Sequence, residues 1–254
     1  MDETFQNQPL TSESESHEDS MPLWQHLEEL RGVLLKSLLI VSLGFCVTYY
    51  FSERLIQFLE APILTVLPTG EKNLYFTGIT DKFLVYLKVS FYCSLILSSP
   101  FLLKQIWNFV SPALKENERK FAVPFLILGT LAFLVGVAFA YYVVIPSGYR
   151  FLIQFGGANE KPLINISEYF SLTLQLLVSM GLFFELPVVA MILAKLGVIN
   201  LGILIKYRPQ AYLGLAIVSA VLTPTPDAFT LVLVLIPLIL LYELSVQLVR
   251  MMVA

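Results

Sequence analysis

Long stretches without charge alternate with short charged clusters along this chain, and the alternation outlines its elements. Six apolar runs stand out, at about 33–51, 83–103, 121–147, 169–194, 210–222 and 228–241. The first four suit helices of about 20 residues, the length that crosses a hydrocarbon core of about 30 Å. Lys36 and Lys88 lie close enough to run ends for their stems to reach water. The last two runs are short, since 14 residues rise only about 21 Å. Pro224-Thr225-Pro226 stops the fifth, and Pro237 is expected to interrupt the sixth. Short helices force the bilayer to thin or their ends to recruit partners. The pattern predicts an all-α integral membrane protein with six transmembrane helices, the last two short.

Between the runs, two segments carry apolar residues of their own. The loop at 52–82 contains Leu55-Ile56-x-Phe58-Leu59, a spacing that suits an amphipathic helix lying at the interface, with Pro62 expected to end it. The loop at 148–168 carries Tyr149, Phe151 and Leu152. Together they predict a cap over one end of the bundle. Basic residues set its sidedness. With the N-terminus inside, ten Lys and Arg fall on inner segments and six on outer ones, which favours both termini inside.

Composition agrees with a membrane chain: 57% of its 254 residues are apolar and only 14% are charged. The formal charge of −3 is dominated by residues 1–20, which hold six acids and no Lys or Arg. That Ser/Glu-rich segment cannot bury enough apolar surface to order itself, and it lacks the basic start and apolar core of a secretory signal. The remainder, read as one membrane domain over 21–250, has the first apolar helix as its insertion signal. Cys46 and Cys93 fall inside apolar runs without metal-ligand spacing and read as packing residues.

One charge interrupts the fourth run. Glu185 stands in its middle, where a carboxylate costs about 2.5–3.5 kcal/mol on insertion scales and marks a polar role by default. A protonated side chain packed against a neighbouring helix is the alternative. Pro187 follows two positions later, removes a donor, and is expected to bend the span and free the Phe183 carbonyl.

Enzymatic constellations are missing. His17 lies in the acidic segment and His26 just before the first run, which leaves no pair for a zinc site and no His within a span for a serine protease. Glu185 has no second mid-membrane carboxylate, and no phosphate-cradling glycine pattern occurs. No metal, cofactor or nucleic-acid partner is expected. Binding or transport remains.

Four motifs then narrow the reading: Met21-Pro22-Leu23-x-x-His26-Leu27-Glu28-Glu29-Leu30-Arg31; Phe109-x-x-Pro112-Ala113-Leu114-x-x-x-Glu118-Arg119; Gly181-x-x-Phe184-Glu185-x-Pro187; and Leu222-Thr223-Pro224-x-x-Asp227. In this order, on six runs, they resemble the TatC family, the core subunit of the twin-arginine protein translocase. The resemblance covers about 21–250. It implies a receptor for twin-arginine signal peptides and an assembly platform that exports folded proteins using the proton motive force. Glu29 and Glu118 would accept the paired guanidinium groups, with Arg31 and Phe109 beside them. Arg matches a carboxylate bidentately and Lys cannot, so the chemistry fits. Glu185 and Pro187 would face single-span TatA-like or TatB-like subunits, and Pro62 and Asp227 belong to the outer side. Copies of the chain would associate within the receptor complex. The resemblance implies a bacterial inner membrane, or a thylakoid membrane in a photosynthetic organism.

Plainer roles stand beside these. Glu29 and Glu118 also suit ordinary solvated helix-end charges. Phe109 and Trp107 suit interfacial aromatics, and Asp227 suits a helix cap directly after Pro226. Some relatives carry Gln four residues after that Asp; Leu231 stands there, so a TatA-like contact through that position is not carried over. A proton-coupled small-solute transporter using Glu185 is the competing function.

Overall fold

The computed structural model describes residues 23–67, 73–110, 122–155, 163–223 and 227–253. Helices dominate them, and an isolated bridge between Tyr75 and Asn165 is the one β-type pairing recorded. Helix α1 (Leu23–Tyr50) leads into α2 (Ser52–Leu64), and α3 (Asp81–Val110) returns. Helix α4 (Ala122–Phe139) passes through a π turn at Ala140–Val144 into α5 (Ile145–Gln154). The chain then forms α6 (Ile166–Phe184), α7 (Leu186–Lys195), the short α8 (Leu201–Lys206), α9 (Arg208–Leu222) and α10 (Ala228–Val253). Among the described residues, five helical stretches are long and apolar enough to cross a membrane: Leu27–Tyr50, Asp81–Val110, Val123–Gln154, Ile166–Lys195 and Ala228–Met252. Helix α9, with 15 residues, rises only about 22 Å.

Two expectations about proline are corrected. Helix α10 is not short: it runs through Pro237 and Glu243 for 26 residues, about 39 Å. Proline removes one donor, and a membrane helix packed on neighbours tolerates that loss; α10 lies against α7, α9 and α6. Likewise Pro62 is inside α2, which continues to Leu64. The Phe58 carbonyl, four residues before Pro62, accepts a hydrogen bond from Tyr141 Oη at 2.7 Å instead. A third internal proline, Pro100 of α3, is answered from within its own helix, where Ser99 Oγ donates to the Ile96 carbonyl at 2.8 Å.

Membrane helices lack a hydrophobic driving force for pairing, so they associate through small residues and hydrogen bonds. Helices α1 and α3 pack that way, antiparallel. Ser94 Oγ donates to the Val41 carbonyl and Thr48 Oγ1 to the Ser90 carbonyl, each at 2.7 Å. Helices α4 and α6 meet at Gly136, where a Cβ would sit 2.6 Å from the Met180 carbonyl, a contact only glycine permits.

The expected cap is present at the far end. Ile56, Leu59 and Ile63 of α2 are buried against the bundle core, which includes Val85, Val89, Tyr169, Phe170 and Leu174. Tyr169 Oη donates to the Leu59 carbonyl at 2.6 Å. The two outer loops are tied by Tyr75 N–H to the Ile164 carbonyl at 3.0 Å and Ile166 N–H to the Tyr75 carbonyl at 2.8 Å. Asn165 adds Nδ2–H to Thr77 Oγ1 at 2.8 Å while its Oδ1 caps α6 at Ser167 N–H.

Candidate functional site

Two regions hold most of the sequence-selected residues, one at the end of the bundle where α1 begins and one inside the span that carries Glu185. Glu29 and Arg31 ride on α1, continuous with its membrane part, Glu29 half-buried and Arg31 exposed. The pairs Thr48–Ser90 and Val41–Ser94 define the α1–α3 register. Carried toward the start of α1, that register sets Glu29 level with residues 106–110 of α3. Phe109 is there, half-buried, and its neighbour Trp107 stacks on Phe125 of α4 at 5.7 Å between ring centroids. Glu118 lies outside the described residues, as do the acidic segment 1–20 and Pro224-Thr225-Pro226.

The second region is Glu185, at the joint between α6 and α7. Its N–H turns toward the Leu182 and Phe183 carbonyls, and Pro187 occupies the first turn of α7, so the span breaks here as the sequence implied. The Phe183 carbonyl, expected to be freed, instead receives the Glu185 N–H in place of the donor that Pro187 lacks. Glu185 is only 7% exposed. Its carboxylate approaches α4 at Gly129, where a Cβ would lie 3.0 Å from Oε2. Oε1 is buried without a hydrogen-bond partner. A cavity of about 190 Å³ opens beside it, lined by Trp107, Phe125, Gly129, Val188 and Ile192 among others. Gly129 was not legible as a site residue: a glycine in an apolar run reads as packing until the opposing helix is known.

Elsewhere the placements are structural. Asp227 Oδ1 accepts the Thr230 N–H at 2.6 Å, the cap of α10. Pro62 is buried in α2. A cluster the motifs did not include joins α9 to α10: Arg208 Nη2 meets Glu243 Oε2 at 2.8 Å, and Tyr212 Oη donates to Glu243 Oε1 at 2.5 Å. Arg208 and Glu243 are 35 positions apart, so no local spacing announces the pair. No cluster of metal-ligating side chains occurs among the described residues.

With this geometry established, comparison with known proteins places the chain. A family profile described as Sec-independent protein translocase protein (TatC) matches residues 25–237. The chain belongs to the TatC family. It is 39% identical to the Sec-independent protein translocase protein TatC of Carboxydothermus hydrogenoformans over 226 residues, 89% of this chain and 91% of that one. The protein of the same name from Desulforapulum autotrophicum is 37% identical over 229 residues, 90% of this chain and 84% of that one. The corresponding Escherichia coli K12 protein is 36% identical over 231 residues, 91% and 89%. A crystal structure of the twin arginine translocase receptor TatC superposes with a TM-score of 0.81 at 34% identity, covering 90% of this chain and all of that one. The protein is thus an all-helical membrane protein of the Sec-independent translocase family, and these matches give no support to a small-solute transporter.

Proposed function

We propose that this chain is the receptor for twin-arginine signal peptides and the platform on which its translocase assembles to export folded proteins, driven by the proton motive force. It acts by binding and positioning rather than by catalysis, and it needs no nucleotide or cofactor. It crosses a bacterial inner membrane six times with both termini inside, as one domain over 21–250 behind the acidic segment 1–20. Glu29 and Glu118 accept the two guanidinium groups, flanked by Arg31 and Phe109. Glu185, at the Pro187 break, serves the single-span TatA-like and TatB-like subunits, and further copies of the chain complete the complex. Pro62 and Asp227 hold the outer side in shape.

The observation that carries this reading is the α1–α3 register, which stands Glu29 level with the turn bearing Phe109 inside the matched region. A half-buried carboxylate at the level of an aromatic suits a planar guanidinium better than an ammonium. The test is binding of a labelled signal peptide to the purified protein in nanodiscs. An Arg-Arg peptide should bind, and Glu29→Ala or Glu118→Ala should each cost about 1.5–3 kcal/mol, roughly 10- to 150-fold in Kd. Equal affinity for Arg-Arg and Lys-Lys peptides rules the receptor reading out.

A further inference from the structure

Near its outer end, α6 carries a polar stripe on a surface that its own bundle does not cover. Glu168 and Gln175 are exposed there, and Ser171 lies half-buried between them. All three line a groove of about 520 Å³, with Tyr149 and Leu152 of α5 and Leu163 of the outer loop on its other sides. At the α3 edge, the half-buried Lys88 donates from Nζ to Ser171 Oγ at 2.9 Å. That hydroxyl in turn donates to the Ser167 carbonyl at 2.6 Å. The ammonium keeps two further N–H donors. Among the described residues Lys88 has no carboxylate partner, and the Glu168 carboxylate and the Gln175 amide have no hydrogen-bond partner. A base, an acid and an amide are thus left open along one groove of a spanning helix.

Depth selects the occupant. Glu168 and Gln175 are two turns apart, about 10 Å along the axis at about 1.5 Å per residue. A headgroup layer is only about 5–8 Å thick, half the difference between a bilayer of about 40–45 Å and its core of about 30 Å. With Glu168 among the headgroups, Gln175 lies below them, where no water meets an exposed amide. We propose that the groove binds one outer-leaflet phospholipid with a primary-amine headgroup, of the phosphatidylethanolamine class. The lipid phosphate takes the open N–H donors of Lys88, and the headgroup ammonium takes the Glu168 carboxylate. An ester carbonyl, at the top of an acyl chain, accepts from the Gln175 amide. Lys88 and Glu168 form no ion pair with each other, and a zwitterion answers both charges at once. A glycerol headgroup would leave Glu168 without a cation, and a choline headgroup brings a charge with no N–H to donate. Free phosphate carries no ester carbonyl to the depth of Gln175. A partner helix would have to bring both an acid and a base into the leaflet, which charged side chains resist.

The test reads lipid retention by the purified full chain in detergent, using native mass spectrometry with dioleoyl phosphatidylethanolamine, phosphatidylcholine and phosphatidylglycerol. One ethanolamine lipid should be held on the order of tenfold more tightly than either of the others, because its ammonium gives a charge-assisted hydrogen bond to Glu168. Glu168→Gln should bring the ethanolamine and glycerol lipids level. Lys88→Gln should weaken all three about tenfold, and Gln175→Leu, which loses a neutral hydrogen bond, about threefold. Equal retention of the three lipids by the unsubstituted protein overturns the site, and so does an ethanolamine preference that survives Glu168→Gln. A second measurement needs no substitution. A photoactivatable phosphatidylethanolamine in vesicles should label the segment 163–175, and labelling confined to other segments overturns the proposal. Gln175→Cys in a Cys46→Ser, Cys93→Ser background should remain monomeric on oxidation; a disulfide-linked dimer would mean that a second copy covers the groove, and the lipid site would fall. No signal peptide enters these measurements, so their failure leaves the receptor reading untouched.

Discussion

Glu243 and Glu185 are both acids on membrane-spanning helices, yet their surroundings are opposite. Glu243 is held by Arg208 at 2.8 Å and Tyr212 at 2.5 Å, both from α9. Glu185 has an oxygen with no partner and a glycine opposite it. The first arrangement fastens a helix too short to span the bilayer onto one that does. An isolated helix of 15 residues with only a 22 Å rise gains little from lipid, so its stability comes from such contacts. The second arrangement fastens nothing. A buried polar atom left unpaired costs about 1–3 kcal/mol, a cost the Arg208 Nε of the first cluster carries as well. One acid ties two helices together and the other is left with an unpaired oxygen.

That contrast can be broken by substitution, measured as thermal or denaturant unfolding in detergent. Glu243→Ala strands the Arg208 guanidinium and the Tyr212 hydroxyl together. Because the pair is about a third exposed, the loss should be about 2–3 kcal/mol, below that for a fully buried pair. Tyr212→Phe removes one hydrogen bond to a charged group and should cost about 1.5 kcal/mol. At the opposite end of the same helix, Asp227→Ala deletes the α10 cap and should cost about 1 kcal/mol. Glu185→Gln removes no bond, so its unfolding should shift by less than about 0.5 kcal/mol, while export in cells should fall if Glu185 serves partner subunits as proposed. A Glu185→Gln protein as destabilised as Glu243→Ala would make Glu185 a second scaffold residue.

How much of this was readable beforehand depends on the range of the interaction. The apolar runs predicted the spans to within a few residues at most ends. Helices run on past the apolar runs at 23–32, 104–110, 148–154 and 242–253, and Pro237, expected to interrupt its helix, and Pro62, expected to end its own, both lie inside helices. A single proline deletes one donor, and whether that ends a helix depends on what else the freed carbonyl meets. For Pro62 the answer is Tyr141, 79 positions away in the chain and delivered by a π turn. The Asp227 cap was legible because it acts over three residues. The Arg208–Glu243 pair and the Gly129 contact were not, since nothing local relates their partners.

The amino-acid order on its own determined that this protein is helical, that it lives in lipid, and which family it joins. These follow from hydropathy, local capping and short motifs, all of which act within one or two helical turns. Only the folded arrangement decided which carboxylate is gripped and which is left open. It also set which glycines are contact points between helices. Those outcomes turn on which helix faces lie against each other, and a helix surface carries no local mark of its neighbour.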